Sequence, residues 1–301
     1  MDIASDVLRK LKKNYMKKSI NTLLFLLITI GSFAQPPKEK ALLWKISGNG
    51  LKQASYLYGT IHIMCPDQIK VDSALKQSFA STKQLYLEIN TSDPAMMSKA
   101  INGMMMPEGE SLEKLVSKAE YDSMSQIFQG KSGMPMMLMA KAKPILLMSA
   151  VYPSLLGCAP EGWETKFQVM AKESKLPIKG LETIEYQLSV FDSIPYKTQA
   201  AMLKDFLYNL DSTKKSFDEM LTIYLEKNIN ALYEMTVKDP DFGNYEALML
   251  NNRNNNWITV MSAAAKDKPT FFAVGAAHLG GDKGVISLLR KKGFEVVPVK
   301  Y

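Results

Sequence analysis

Two histidines are all that this 301-residue chain contains, and both stand in the same local setting. His62 closes the run Tyr56-Leu57-Tyr58-Gly59-Thr60-Ile61-His62, and His278 closes Phe271-Phe272-Ala273-Val274-Gly275-Ala276-Ala277-His278. Each is an apolar, strand-like stretch that reaches Gly-x-x-His, with Gly59 and Gly275 three positions ahead of the ring. Glycine lets another backbone or a ligand come close where a strand stops. Open α/β sheets gather ligand-binding groups just past the carboxyl ends of their strands. An imidazole placed there serves as a metal ligand or as a proton carrier. The plainer reading, a ring packed in a core or exposed in a loop, fits one isolated histidine better than a matched pair.

A carboxylate belongs with them. Leu85-Tyr86-Leu87-Glu88-Ile89 reads as a buried strand, and Glu88 near its end is costly to bury unless it is ionised against a partner. A metal or an arginine would supply one; a surface position at a strand edge is the bland alternative. Two His and one Glu suit a divalent cation with open positions, Zn²⁺, Mn²⁺ or Co²⁺. Such an ion would polarise a peptide carbonyl and activate water, with a second carboxylate as general base. No His-Glu-x-x-His helix occurs, so any ligands come together only in the fold. No Gly-x-Ser-x-Gly elbow occurs either, which disfavours a serine hydrolase.

These motifs, in order, resemble the TraB/PrgY/GumN family, related to the Tiki proteins that cleave Wnt. The resemblance rests on Gly59–His62, Glu88, the Gly180-Leu181-Glu182-Thr183 run and Val-Gly-x-x-His-Leu-x-Gly over residues 274–281, and it covers about 42–299. It implies that Glu182 joins Glu88 as a carboxylate partner and metal ligand beside His62 and His278. It also implies a role for Arg253-Asn254, in the polar run Asn251-Asn252-Arg253-Asn254-Asn255-Asn256-Trp257. A polar cluster inside a helix needs water or a site to satisfy it. The arginine could pair with Glu88 or Glu182, or hold a substrate carboxylate in bidentate fashion; a solvated helix face is the alternative. The resemblance implies metal-dependent cleavage of a peptide or protein substrate. Two other readings stay open. One is peptide or haem binding without turnover, because the fold also resembles ChaN-like haem-binding proteins. The other is metal-free hydrolysis of the erythromycin-esterase kind.

The scaffold expected around these residues is α/β, a central mixed sheet flanked by helices with a helical insertion at about 94–175. Runs 42–47 and 55–61 read as a hairpin across Gly48-Asn49-Gly50. Apolar spacing over 71–81 predicts a helix, followed by a strand over 84–89. Three helices are expected over 94–105, 111–128 and 134–155, then one over 161–175, a strand over 177–181 and a helix that Thr183 could cap. A long helix over 244–265, a strand over 269–275, a helix over 282–292 and a last strand over 294–299 complete the chain. The 94–156 stretch is dense in methionine, a flexible filler of apolar gaps. Copper binding is the sharper alternative for its thioethers.

Residues 1–34 read as an N-terminal extension and a signal peptide. Met16-Lys17-Lys18 is its basic start, residues 23–30 its apolar core, and Ser32-Phe33-Ala34 its cleavage site. The expected product, residues 35–301, is exported to the periplasm or beyond, keeps no membrane span and forms one domain of the family's type; its oligomeric state is left open. The chain carries 37 Lys/Arg and 30 Asp/Glu. Six of those basic and two of those acidic residues fall in 1–34, so the remainder is only +3. No basic stripe with interleaved aromatics remains to bind nucleic acid. Cys65 and Cys158, in an exported protein, are best read as a disulfide, although soft-metal binding or two free thiols would use the same pair.

Overall fold

Residues Gly48, Asn49 and Gly50 all take positive φ (74°, 47° and 80°), a region open to glycine and better tolerated by Asn than by most residues. That turn folds β1 (Leu43–Gly48) back on β2 (Ser55–Thr60) in antiparallel register, Leu43 opposite Tyr58. The computed structural model describes residues 37–90 and 92–300. The extension and signal expected over 1–34 lie outside the described residues.

After β2, Asp72 caps α1 (Ser73–Ala80) by accepting the Leu75 N–H at 2.8 Å. The chain then enters β3 (Gln84–Ile89). β4 (Ile178–Glu182) and β5 (Thr270–Gly275) lie parallel on either side of β3, and β5 is also parallel to β2. β6 (Phe294–Pro298) runs antiparallel to β1 at the far edge. The order is β4-β3-β5-β2-β1-β6, a six-stranded mixed sheet, as expected for the fold class. β3 and β5 are buried along nearly their whole length, as central parallel strands are. β6 instead alternates buried Phe294 and Val296 with exposed Glu295 and Val297. Four adjacent parallel strands therefore end on one side of the sheet, at Glu182, Ile89, Gly275 and Thr60.

Helices connect these ends. Between β3 and β4 come α2 (Met96–Met104), α3 (Lys118–Ser132) and α4 (Trp163–Glu173). The single helix expected over 134–155 is instead four short pieces, Met136–Met139, Pro144–Leu147, Met148–Ala150 and Tyr152–Leu156. Pro135, Pro144 and Pro153 account for this, since proline lacks an N–H and pushes the preceding residue out of the helical region. Between β4 and β5 run α5 (Ile184–Val190), α6 (Tyr196–Tyr208), α7 (Leu210–Leu225), α8 (Ile229–Lys238) and α9 (Asn252–Asp267). Thr183 caps α5, accepting the Tyr186 N–H at 3.2 Å. The helix expected from 244 forms in stages: a 3₁₀ turn Gly243–Tyr245, a wider π turn Ala247–Asn251, then α9. α10 (Val285–Lys291) precedes β6.

Two cores result. Trp44, Phe79, Phe167, Trp257, Phe271 and Phe272 fill the space between the sheet and its flanking helices. Leu112, Met124, Phe128, Leu147 and Val151 make a second core that Leu203 and Phe206 of α6 close. The methionines divide accordingly: Met124 and Met136 are buried, whereas Met104, Met105 and Met137 are exposed. Among the described residues no helix is long and apolar enough to cross a membrane. Cys65 and Cys158 form a disulfide that ties the loop after His62 to the segment leading into α4. It closes a stretch of 93 residues, and a loop of that length constrains the unfolded chain. Replacing both cysteines by serine is expected to lower stability by about 2–4 kcal/mol, read from urea unfolding. An unchanged midpoint would contradict this.

Candidate active site

Glu88 and Glu182 reach the same sheet edge from neighbouring parallel strands, and two carboxylates cannot be buried side by side without a counter-charge. Arg253, from the first turn of α9, supplies it. Its Nη2 donates to Glu88 Oε2 at 2.6 Å and to Glu182 Oε1 at 2.7 Å, and its Nε donates to Glu182 Oε1 at 3.0 Å. The three side chains are only 9%, 5% and 4% exposed. Gln187 of α5 spans the pair, its amide donating to Glu88 Oε2 at 2.9 Å and Glu182 Oε1 at 3.1 Å. Trp257 Nε1 donates to Glu182 Oε2 at 2.8 Å, and the Arg253 guanidinium lies 4.9 Å from the Trp257 ring centre. The remaining Arg253 nitrogen, Nη1, donates to the Met249 carbonyl in the π turn at 3.0 Å. Burial alone would raise the Glu88 carboxyl. The Arg253 charge, then the two histidines and the Gly275 N–H, outweigh it and hold the pKa down at about 2.

His278 sits in a 3₁₀ turn after β5, buried and 4.5 Å centre to centre from Trp257. Its Nε2 lies 3.2 Å from Arg253 Nη1, and its Nδ1 lies 2.6 Å from Asn254 Oδ1. A guanidinium only donates, so Nε2 accepts and the proton is assigned to Nδ1. The Asn254 amide nitrogen donates to the Lys283 carbonyl at 3.0 Å, which keeps its oxygen on the ring. Burial, followed by the Arg253 charge, pushes the His278 pKa down to about 3. This ring is neutral.

His62 is its opposite. Its side chain is 61% exposed. Desolvation by its surroundings works against the charged ring, but the hydrogen bond and charge of Glu164, then Glu88, raise its pKa to about 9. Nδ1 is 3.0 Å from Glu164 Oε1, and Nε2 faces Glu88 Oε1 at 4.0 Å.

The two motif glycines do different jobs. A Cβ at Gly59 would press on Ala276 and Leu279 at 3.1–3.2 Å, so this glycine lets the His278 turn pack against β2. A Cβ at Gly275 would point into the site, 3.4 Å from Glu88 Oε1, 3.5 Å from His278 Cδ2 and 3.7 Å from His62 Nε2. Its φ of −51° suits any residue, so here glycine provides space rather than backbone freedom. The Gly275 N–H also donates to Glu88 Oε1 at 2.8 Å.

The structure thus gathers His62, His278, Glu88, Glu182, Arg253 and Asn254 at one sheet edge. Both Glu182 oxygens are held by Arg253, with further bonds from Gln187 and Trp257. Among the described residues no three His, Cys, Asp or Glu side chains stand as a group that could hold a metal ion. Sequence reasoning missed Glu164 as the His62 partner and Gln187 as the bridge between the carboxylates, and it quoted Trp257 without a role. Glu164 had one local signal, an acidic residue two positions after Gly162 in the first turn of a helix.

A family model described as the TraB/PrgY/gumN family matches residues 42–298. The chain is 22% identical over 316 residues to "Metalloprotease TIKI1" of Danio rerio, covering 85% of this chain and 62% of that protein. It is 24% identical to "Metalloprotease TIKI2" of Xenopus tropicalis, covering 80% and 57%, and 23% identical to "Metalloprotease TIKI1" of Homo sapiens, covering 87% and 62%. The chain therefore spans about three fifths of the length of these curated relatives. No solved structure matches.

Replacing Arg253 by Leu would leave two buried carboxylates unpaired, and a loss of about 3–5 kcal/mol is expected in urea unfolding at neutral pH. The loss should shrink in acid as the carboxyls protonate. With two histidines in the chain, ¹⁵N NMR resolves each ring: His62 should titrate near 9 and His278 stay neutral down to about 3. His62, raised above 6.5, contributes stability that is complete below that pH and lost as pH rises through 9. Relative to His62→Ala, the wild type should therefore lose stability across that window. Two rings titrating together near 6.5 would refute the assignment.

Proposed function

The chain belongs to the TraB/PrgY/gumN family, and on that premise we propose that it is an exported hydrolase of peptide bonds, acting in the crevice over Gly275. One observation carries the proposal: His62 Nε2, Glu88 Oε1 and the His278 ring all face the space where a Gly275 Cβ would stand. The metalloprotease relatives and the Cys65–Cys158 disulfide support a peptidase that works outside the cytoplasm.

A divalent cation such as Mn²⁺, Co²⁺ or Zn²⁺ is what the metalloprotease relatives suggest, and it would have to displace the His62 proton. Glu88 is ionised, His278 is neutral, and the exposed His62 gives access. His62 and Glu88 present the two freest atoms, while His278 Nε2 is shared with Arg253. No three of these side chains are grouped to hold an ion as they stand; His62 and Glu88 would take one, and when bound it would polarise the peptide carbonyl and lower the pKa of a water. Arg253 and Gln187 hold Glu88 in place, and Asn254 holds the His278 tautomer. Glu182 serves as the second anchor of Arg253.

The Arg253 contact on His278 favours a second reading, the same hydrolysis without a metal. In it water adds to the peptide carbonyl as the C–N bond breaks, His62, charged up to about pH 9, gives its Nε2 proton to the leaving amine and regains one from that water, and Glu88 stabilises the charged ring.

The test uses residues 35–301, loaded with Mn²⁺, Co²⁺ or Zn²⁺, desalted, and assayed against a peptide library with and without chelator. About one bound equivalent, lost in His62→Ala/His278→Ala together with cleavage, is the expected result. Cleavage that survives chelation selects the metal-free reading. Peptide bound and recovered intact would overturn hydrolysis altogether. Gly275→Ala, which fills the crevice while making only ordinary van der Waals contacts, should leave the melting temperature unchanged and cut cleavage about 100-fold.

A further inference from the structure

His278 is held by Asn254 and Arg253, which adjoin it across the core. His62 is held from elsewhere, by a residue that enters from the far end of the β3–β4 connection. We propose that Glu164 is a positioning residue for His62: its carboxylate fixes the ring so that Nε2, rather than Nδ1, faces Glu88 and the crevice.

The contact is built from several directions at once. Glu164 Oε1 lies 3.0 Å from His62 Nδ1 and also accepts the Thr60 hydroxyl at 2.6 Å, so one oxygen binds the strand end and the ring together. The backbone around it is laced to the His62 loop. Met64 N–H donates to the Glu161 carbonyl at 3.0 Å, Glu161 N–H to the Met64 carbonyl at 2.9 Å, and Trp163 N–H to the Ile61 carbonyl at 3.3 Å. The Cys65–Cys158 bond closes the same pair of segments. Gly162 permits the close approach, since a Cβ there would collide with the His62 carbonyl and stand 2.8 Å from Glu164 Oε2. Trp163, next in sequence, packs its ring 4.8 Å from Tyr58 of β2, which seats the first turn of α4 on the strand that delivers His62. A side chain on this turn has little freedom to be elsewhere.

The chemistry follows from donor and acceptor types. A carboxylate accepts hydrogen bonds and does not donate them, so the His62 proton shared with Glu164 sits on Nδ1. The other nitrogen then presents its lone pair, or in the charged ring its proton, to the space above Gly275. Outer partners of this kind set ring orientation, and losing one lowers affinity or activity about 10–100-fold. The effect on turnover rests on the hydrolase reading above; the ring orientation does not.

The test is ¹⁵N NMR of the two histidine rings in residues 35–301, above the pH at which His62 loses its charge. Glu164→Met keeps the volume and removes the acceptor, whereas Glu164→Gln keeps both. In the wild type His62 should show the Nδ1–H tautomer, in the Gln variant it should keep it, and in the Met variant it should become a mixture. His278 should not change in any of the three. Peptide cleavage should fall about 10–100-fold in the Met variant and recover in the Gln variant. A Met variant that retains pure Nδ1–H, or Met and Gln variants that behave alike, would overturn the assignment. If no form cleaves any peptide, the hydrolase reading fails while the ring spectra still decide the role of Glu164.

Discussion

Arg253 is the charge on which the site depends. Parallel pairing of β3 with β4 brings Glu88 and Glu182 to one sheet edge, and each carboxylate is buried there. A buried ion pair adds little net stability over apolar packing, yet a buried carboxylate without its partner is strongly unfavourable. The guanidinium fork suits this position because it donates in several directions from one plane. It reaches both acids, the His278 ring and the Met249 carbonyl. α9 must therefore begin where it does, and the π turn ahead of it presents the carbonyl that the last guanidinium nitrogen takes.

Around that charge the two histidines become unlike. His278 is enclosed, and both burial and Arg253 act against a positive ring, so it stays neutral. His62 is open to solvent and lies between two carboxylates, so it is charged under ordinary conditions. Titratable groups with pKa values pushed in opposite directions within one site are how sites assign distinct proton roles. The arrangement also separates buried from accessible: the Arg253, Glu182 and Trp257 side chains are enclosed, and His62 faces solvent.

The insertion contributes more than bulk. Its own core closes against α6, and its return segment is stitched to the His62 loop by a disulfide and paired backbone hydrogen bonds. A loop that follows a strand would otherwise be free to move its histidine. Here the parallel strands set the positions of Glu88 and His278, and the insertion completes the environment of His62.

Much of this was legible in local pattern. The strands that deliver His62, Glu88 and His278 are short apolar runs punctuated by Gly, and a run of six residues carries that information within itself. Thr183 as a cap, the Gly48-Asn49-Gly50 turn and the cysteine pair are readable for the same reason. The broken 134–155 stretch was not, because apolar density there resembled a helix while three prolines governed the backbone. Glu164 escaped notice because its histidine is 102 positions away, and the role of Gln187 because its bond to Glu88 crosses 99; no local spacing encodes such contacts. Sequence alone thus determined which chemical groups arrive at the ends of which strands. The tertiary structure alone decided which carboxylates Arg253 neutralises, which histidine is charged and which glycine leaves room for a ligand, because burial and electrostatic surroundings arise only when distant segments pack.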